Sequence, residues 1–350
     1  AAVDECGEAA KGLNPGAGGF ANGILRSLAE NPQAVREVPY RLEGAEALAL
    51  RAGMPEWLVR RYVQRFGLEE TEAMVRALQG PASTSIVFAS ASAAAQALPQ
   101  LRREGIEAKP DPALPLTYHV REGNPAKTSA FESGLFYVMD PASQAPVALL
   151  HLKGDERVLD LCAAPGGKTA LLSSRLRKGG WVLATDVSRH RLAKVRENVG
   201  RLRLGNVRMA LVDGIRGLPF GASWPLVLLD APCTSLGTLR RNPEIRWQIS
   251  PAAPADMAAK QLSLLKEGAR VTRPGGLLVY SVCSIEEEET SGVVAAFLEA
   301  RPEFSREHLD IAAPWRDLLA PAGPGAFYLL PHRHGFDGFF VAALRKSAGR

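Results

Sequence analysis

From about residue 145 onward, short runs rich in Val and Leu alternate with helical segments, and no other feature constrains the fold as strongly. The runs lie at 157–161, 181–185, 207–211, 226–229 and 277–281, and the longest helical segment between them reads from about 254 to 272. Strands this apolar are buried on both faces, and strands joined through helices run parallel. Ligands of such sheets bind at the carboxyl ends of the strands.

The rest of the chain reads differently. A length of 350 residues implies two or three domains. Residues 1–80 read helical. Phe20, Ile24 and Leu28 recur at helical spacing in one segment, and Leu58, Tyr62 and Phe66 in another. Residues 81–144 mix short strands at 85–88, 116–120 and 135–139 with a helix over 91–103, which predicts a small α+β subdomain. Residues 145–350 carry the alternating pattern and form the third division.

The net charge of +5 favours an anionic partner without demanding one. The four cysteines, Cys6, Cys162, Cys233 and Cys283, form no C-x-x-C pair, so no metal site is expected. His332 and His334 lack ligand partners at metal spacing and are expected in a solvated loop. Neither a signal peptide nor a bilayer-length apolar run is evident, so the expectation is a cytoplasmic protein with free thiols. The sequence starts Ala1-Ala2-Val3-Asp4 without Met, which reads as a trimmed N-terminus.

Residues 158–169, VLDLCAAPGGKT, read as strand, small-residue turn and helix start. Small residues let a backbone approach a ligand, and a helix N-terminus offers free N–H groups. A phosphate-binding loop needs Gly where Cys162 stands, and the dinucleotide G-x-G-x-x-G is absent, so both pyrophosphate readings fail. Asp186 ends the next strand about twenty residues on, where a carboxylate can accept from ribose hydroxyls. Asp213 follows the third strand and is placed to read an adenine edge. A nucleoside without phosphates fits this series, and S-adenosylmethionine is the common one.

Asp230-Ala-Pro-Cys233 ends the fourth strand and Tyr280-Ser-Val-Cys283 the fifth. Free cysteines more often sit as small apolar core residues, and Cys6 and Cys162 are given that reading here. Two thiols at strand ends beside an adenosyl pocket suit cytosine chemistry. C5 of cytosine is a poor nucleophile until a thiolate adds to C6, which is covalent catalysis by an activated thiol. An acid must also meet N3 of the base, a role that Asp230 is placed to fill. Glu286–Glu289 reads as a charge cluster at a helix N-terminus.

These motifs resemble the Sun/Fmu (RsmB-type) branch of the RNA cytosine-5 methyltransferases, which modify small-subunit ribosomal RNA. The resemblance rests on DLCAAPGGKT at 160–169, DAPC at 230–233 with RRNPEIRW at 240–247, and YSVCS at 280–284. DPAS at 140–143 and DGFF at 337–340 match as well. More weakly, FANGILR at 20–26 resembles the last helix of a NusB-like RNA-binding domain.

The resemblance implies a Rossmann-like class I methyltransferase with a small RRM-like α+β subdomain and a helical remnant of a NusB-like domain. It implies S-adenosylmethionine as cofactor and 16S rRNA as partner, with a monomeric enzyme and no membrane. Cys283 becomes the nucleophile, and Cys233 assists elimination. Lys168 and Asp230 hold the cytosine. Cys162, Ala163, Ala164, Pro165, Gly166, Gly167 and Lys168, with Asp186, Asp213 and Asp230, line the cofactor pocket. Arg240, Arg241 and Arg246 are the phosphate-contact candidates. Val282 stands where the family has Thr, and Thr-Ser-Leu-Gly follows Cys233 in place of Ser-Gly-Thr-Gly. A tRNA substrate with the same chemistry, and a catalytically silent ribosome assembly factor, are the competing readings.

Overall fold

The computed structural model describes residues 2–14, 16–33, 43–177, 179–311 and 313–349. The chain divides into two compact units, Ala1–Arg76 and Ala77–Arg350. The described elements of the first unit are helices: Ala2–Leu13, Ala17–Glu30, Gly44–Ala52, Glu56–Phe66 and the greater part of Leu68–Gln79. In Glu56–Phe66 the apolar stripe turns inward, burying Leu58 and Tyr62. In Ala17–Glu30 it does not: Phe20, Ile24 and Leu28 are 75%, 45% and 40% exposed. This helix meets Ala2–Leu13 through another face, with Asn22 against Gly7 and Gly18 against Lys11.

The second unit holds two sheets. The smaller contains β1 (Thr84–Phe88), β2 (Ala108–Pro110), β3 (Thr117–Val120) and β4 (Phe136–Val138), antiparallel in the order β2-β3-β1-β4. The helix Ala91–Arg103 begins at Ser90, whose hydroxyl accepts from the Ala93 N–H and caps it. Its Ala97 and Leu101 pack on Ile86, Phe88 and Phe136. Each large side chain so buried contributes about 1.5–3 kcal/mol.

The larger sheet carries the strands of the alternating pattern: β5 (Arg157–Leu161), β6 (Trp181–Asp186), β7 (Val207–Leu211), β8 (Trp224–Asp230) and β9 (Thr272–Val282). These five are parallel in the order β9-β8-β5-β6-β7. The expectation of a parallel sheet fails beyond β9. There β13 (Phe339–Lys346) pairs antiparallel with β9, and β12 (Ala326–Leu329), β11 (Ala320–Pro321) and β10 (Phe304–Arg306) complete an antiparallel flank. Only the short helix Pro331–His334 separates β12 from β13. So short a connection cannot make a parallel crossover, and the strand returns antiparallel.

The path of the chain positions the site. From β5 it steps outward through β6 to β7, then returns to β8 and β9 on the other side. The order reverses between β5 and β8, which opens a crevice at their carboxyl ends.

Candidate active site

Strand register brings the two thiols together. Leu229 pairs with Tyr280 and Asp230 with Ser281, so β8 and β9 end side by side. Neighbouring strands lie about 4.8 Å apart, and the loops leaving them therefore start close. Cys233, three residues past the end of one register, meets Cys283, two residues past the other, with 3.2 Å between the sulfurs. The Ala231 N–H bonds to the Ser281 carbonyl and the Gly237 N–H to the Cys283 carbonyl, extending the contact beyond the ladder.

The pair is electrostatically unequal. The hydrogen bond from Cys233 is the largest influence on Cys283 and lowers its pKa, with the Ser235 hydroxyl and the Lys168 ammonium acting the same way against burial. The same hydrogen bond, then burial, then the charges of Cys283 and Glu289 raise Cys233 well above an ordinary thiol. Of the two, Cys283 is the thiol favoured to lose its proton and Cys233 the one favoured to keep it. Ser235 stands 3.5 Å from Cys283 Sγ, with a left-handed φ of 60° that aims the turn back at the thiols.

Next to the thiols, Lys168 Nζ donates to Asp230 Oδ2 at 2.7 Å, and the Ser281 hydroxyl donates to Asp230 Oδ1 at 2.8 Å. The carboxylate is held from both sides with its position fixed. Lys168 comes from the first turn of the helix Gly167–Arg175 and Asp230 from the last residue of β8, so the pair spans the crevice. A cavity of about 160 Å³ opens there, lined by Met139, Asp140, Ala163, Pro165, Lys168 and Asp230 among others.

The turn between β5 and the helix Gly167–Arg175 faces the same crevice. Cys162 adopts a left-handed φ of 60°, a conformation costly for a side chain with Cβ and typical of ligand clamps. Burial pushes its thiol up to about 12, which keeps it neutral and out of the chemistry. Beneath the turn, Asp160 is fully buried. Its Oδ2 accepts from Thr169 at 2.6 Å while Oδ1 has no hydrogen-bond partner, and desolvation raises its pKa to about 7.

Asp186 is 2% exposed. Its Oδ1 accepts from the Ser188 N–H. Its Oδ2 has the Arg191 guanidinium 3.3 Å away yet receives no hydrogen bond. Asp213 accepts from the Ile215 N–H and pairs with Arg216 at 3.2 Å. Around these carboxylates Val187 and Ile215 are 60% and 52% exposed. An acceptor without a donor, flanked by open apolar side chains, suits a ribose and a purine ring. Residues 162–168 with Asp186, Asp213 and Asp230 therefore fit the adenosyl cofactor.

Three expectations change. Arg241 is not a free phosphate contact: its guanidinium bonds to Asp140, to Asp337 and to the Ser83 carbonyl. Arg246 is 8% exposed and donates to the Leu239 carbonyl. Arg240 donates to the Gly335 carbonyl at 2.9 Å and stays half-buried. These guanidinium groups tie the loop behind Cys233 to nearby carboxylates and carbonyls. The acidic run does stand at the start of a helical segment, yet Glu286 and Glu289 turn inward at 2% and 0% exposed. His332 and His334 lie in the helix Pro331–His334, half-buried, with His334 Nδ1 accepting from the Leu330 N–H.

Ser235, Ser281 and Glu289 were missed. Ser281 lies in the quoted YSVCS run, and its place opposite Asp230 follows from strand register alone. The family model for the 16S rRNA methyltransferase RsmB/F matches residues 147–345. The chain belongs to this family. Its cofactor is S-adenosylmethionine.

The probable ribosomal RNA small subunit methyltransferase B of Bacillus subtilis is 32% identical, over 99% of this chain and 78% of that protein. The ribosomal RNA small subunit methyltransferase B of Thermus thermophilus is 37% identical, over 97% and 73%. The crystal structure of PH0851 covers 97% of this chain and 75% of its own, at 29% identity and a TM-score of 0.82. NSun6 from Pyrococcus horikoshii, solved with SFG, shares the fold at a TM-score of 0.73 over 85% of this chain and 99% of its own, with 24% identity.

Proposed function

We propose that this enzyme methylates C5 of a cytosine in 16S rRNA, with Cys283 as the covalent nucleophile. The observation that carries the reading is the pair of sulfurs 3.2 Å apart beside the Lys168–Asp230 bridge. S-adenosylmethionine supplies an electrophilic methyl group when bound. Cys283 Sγ forms a bond to C6 of the cytosine, and the C5–C6 electron pair moves onto C5, which takes the methyl as its bond to the sulfonium sulfur breaks and the thioether leaves. N3 takes up a proton as electron density grows on the ring, delivered through Asp230, whose carboxylate Lys168 and Ser281 hold. A base then removes the C5 proton, the Sγ–C6 bond breaks, and Cys233 assists this elimination. The target base is flipped from its helix to reach the thiols.

The rRNA substrate is supported by the family and by what the relatives are named for, and the net charge of +5 agrees with an anionic partner. The helical first unit is assigned to RNA capture, as its resemblance to the end of a NusB-like domain implies.

Bisulfite sequencing of 16S rRNA from cells with and without the gene tests the substrate. Loss of one 5-methylcytosine is expected, and an unchanged rRNA pattern with a lost tRNA mark would move the substrate to tRNA. Cys283→Ala is expected to lower methyl transfer on the order of 10³-fold or more. Cys233→Ala is expected to accumulate a covalent protein–RNA adduct, and an adduct from Cys283→Ala would reverse the two roles.

A further inference from the structure

Glu289 is fully buried and sits in a single π-helical turn, Glu288–Gly292, after β9. Such turns recur at functional sites because they displace one residue from the helical register. Here the displaced carboxylate faces both cysteine-bearing segments. Its Oε1 accepts from the Thr234 N–H at 2.8 Å and from Gln261 Nε2 at 3.0 Å. Its Oε2 accepts from the Thr234 hydroxyl at 2.5 Å and from the Ser284 hydroxyl at 2.6 Å. The Tyr280 hydroxyl donates to the Glu289 carbonyl at 2.6 Å, and Gln261 also donates to the Pro232 carbonyl. Thr234 directly follows Cys233, and Ser284 directly follows Cys283.

One carboxylate thus bridges the residue after each thiol. Four donors on two oxygens satisfy a buried charge in the way burial demands. The β8–β9 register ends at Asp230 and Ser281, and the backbone bonds beyond it run from Ala231 and Gly237, on either side of the Pro232–Thr234 turn, so within that turn the carboxylate supplies the tie.

We propose that Glu289 is a positioning residue for the release step: it holds the Cys233 turn against the Cys283 strand end while Cys283 is bonded to RNA. When Cys283 Sγ bonds to C6, the hydrogen bond between the sulfurs is lost, and with it the direct tie between the two thiols. The carboxylate tie remains and keeps Cys233 at the adduct. The charge of Glu289 also favours the protonated form of Cys233. This inference rests on the assignment of attack to Cys283 and release to Cys233.

The test uses the full chain, S-adenosylmethionine and 16S rRNA from cells lacking the enzyme. Glu289→Gln keeps the volume and two acceptor contacts but loses the charge. Turnover is expected to fall about tenfold or more with little change in KM for RNA. A denaturation-resistant protein–RNA adduct is expected to accumulate, as is expected of Cys233→Ala. Glu289→Asp, with a shorter arm, should restore part of the turnover and part of the adduct clearance. Glu287→Gln, on the exposed neighbour, is the control and should behave as wild type.

Wild-type turnover in Glu289→Gln would overturn the proposal. So would lost turnover without adduct, whether or not the melting temperature falls, because that pattern marks a structural role only. If Cys233→Ala itself traps nothing, the assignment of the cysteines fails, and the two failures are told apart by that parallel reaction.

Discussion

At the residue scale, burial decides which ionisable groups take part. Asp160 has its pKa raised from 3.8 to about 7 by desolvation, so ionising it costs stability in the folded state. Below its unfolded value the group is neutral in both states. As pH rises toward 7 the unfolded chain ionises first and gains relative to the native one. Wild type should therefore lose stability against Asp160→Asn between about pH 4 and pH 7, by up to about 4 kcal/mol. Denaturant unfolding of both proteins at pH 5 and pH 8 measures this. An unchanged difference would mean that Asp160 is ionised throughout. The thiols make a second case. Alkylation by iodoacetamide should reach Cys283 at a lower pH than an ordinary thiol and spare Cys233 until the first is blocked.

At the element scale, the loop after Cys233 is docked by glycine. A Cβ on Gly237 would lie 1.9 Å from the Gly338 carbonyl oxygen and 2.9 Å from that of Cys283. The Gly338 N–H bonds to the Gly237 carbonyl at 2.7 Å, so the DGFF run locks onto the cysteine loop through backbone as well as through the Arg241–Asp337 pair. Gly237→Ala should destabilise the protein by about 1–3 kcal/mol and reduce turnover with it. A melting curve and a rate together check this, and an unaltered rate would show that the loop tolerates displacement.

Much of this scale was legible. The strands at 157–161 and 207–211 and the helix at 91–103 match the structure to the residue, because dense apolar runs and helical spacing are local signals. The antiparallel flank was not read, although Phe339–Leu344 is a continuous apolar run, because DGFF drew notice only as a motif. Glu289 could not be read at all. Four consecutive glutamates look solvated, and only a π-helical turn of the backbone sends one of them inward.

At the scale of the whole molecule, Arg241 joins what the sequence keeps far apart. Its guanidinium meets the Ser83 carbonyl just ahead of β1, Asp140 at the cap of the helix Pro141–Ala148, and Asp337 ahead of β13. The carboxylates are 7% and 6% exposed, so removing their partner leaves charges stranded in the interior. Arg241→Met should cost about 3–5 kcal/mol in unfolding. Weaker RNA binding with unchanged stability would instead restore the phosphate-contact reading.

The place of β13 has a consequence for how the protein is made. β9, which leads into Cys283, pairs on one side with β8 and on the other with residues 340–345. A ribosome emits β8 and β9 well before β13, at about 5–20 residues per second. For several seconds the strand under the nucleophile is therefore an open apolar edge, with Tyr280 and Val279 uncovered, and such an edge is a template for wrong pairing. The β8–β9 register can bring Cys283 beside its partner thiol, but the loop after Cys233 lacks its Gly338 anchor and the sheet its cover until residues 338–345 arrive, so no turnover is expected before then. A stalled chain ending before residue 339 should be captured by chaperones and give no covalent adduct with RNA.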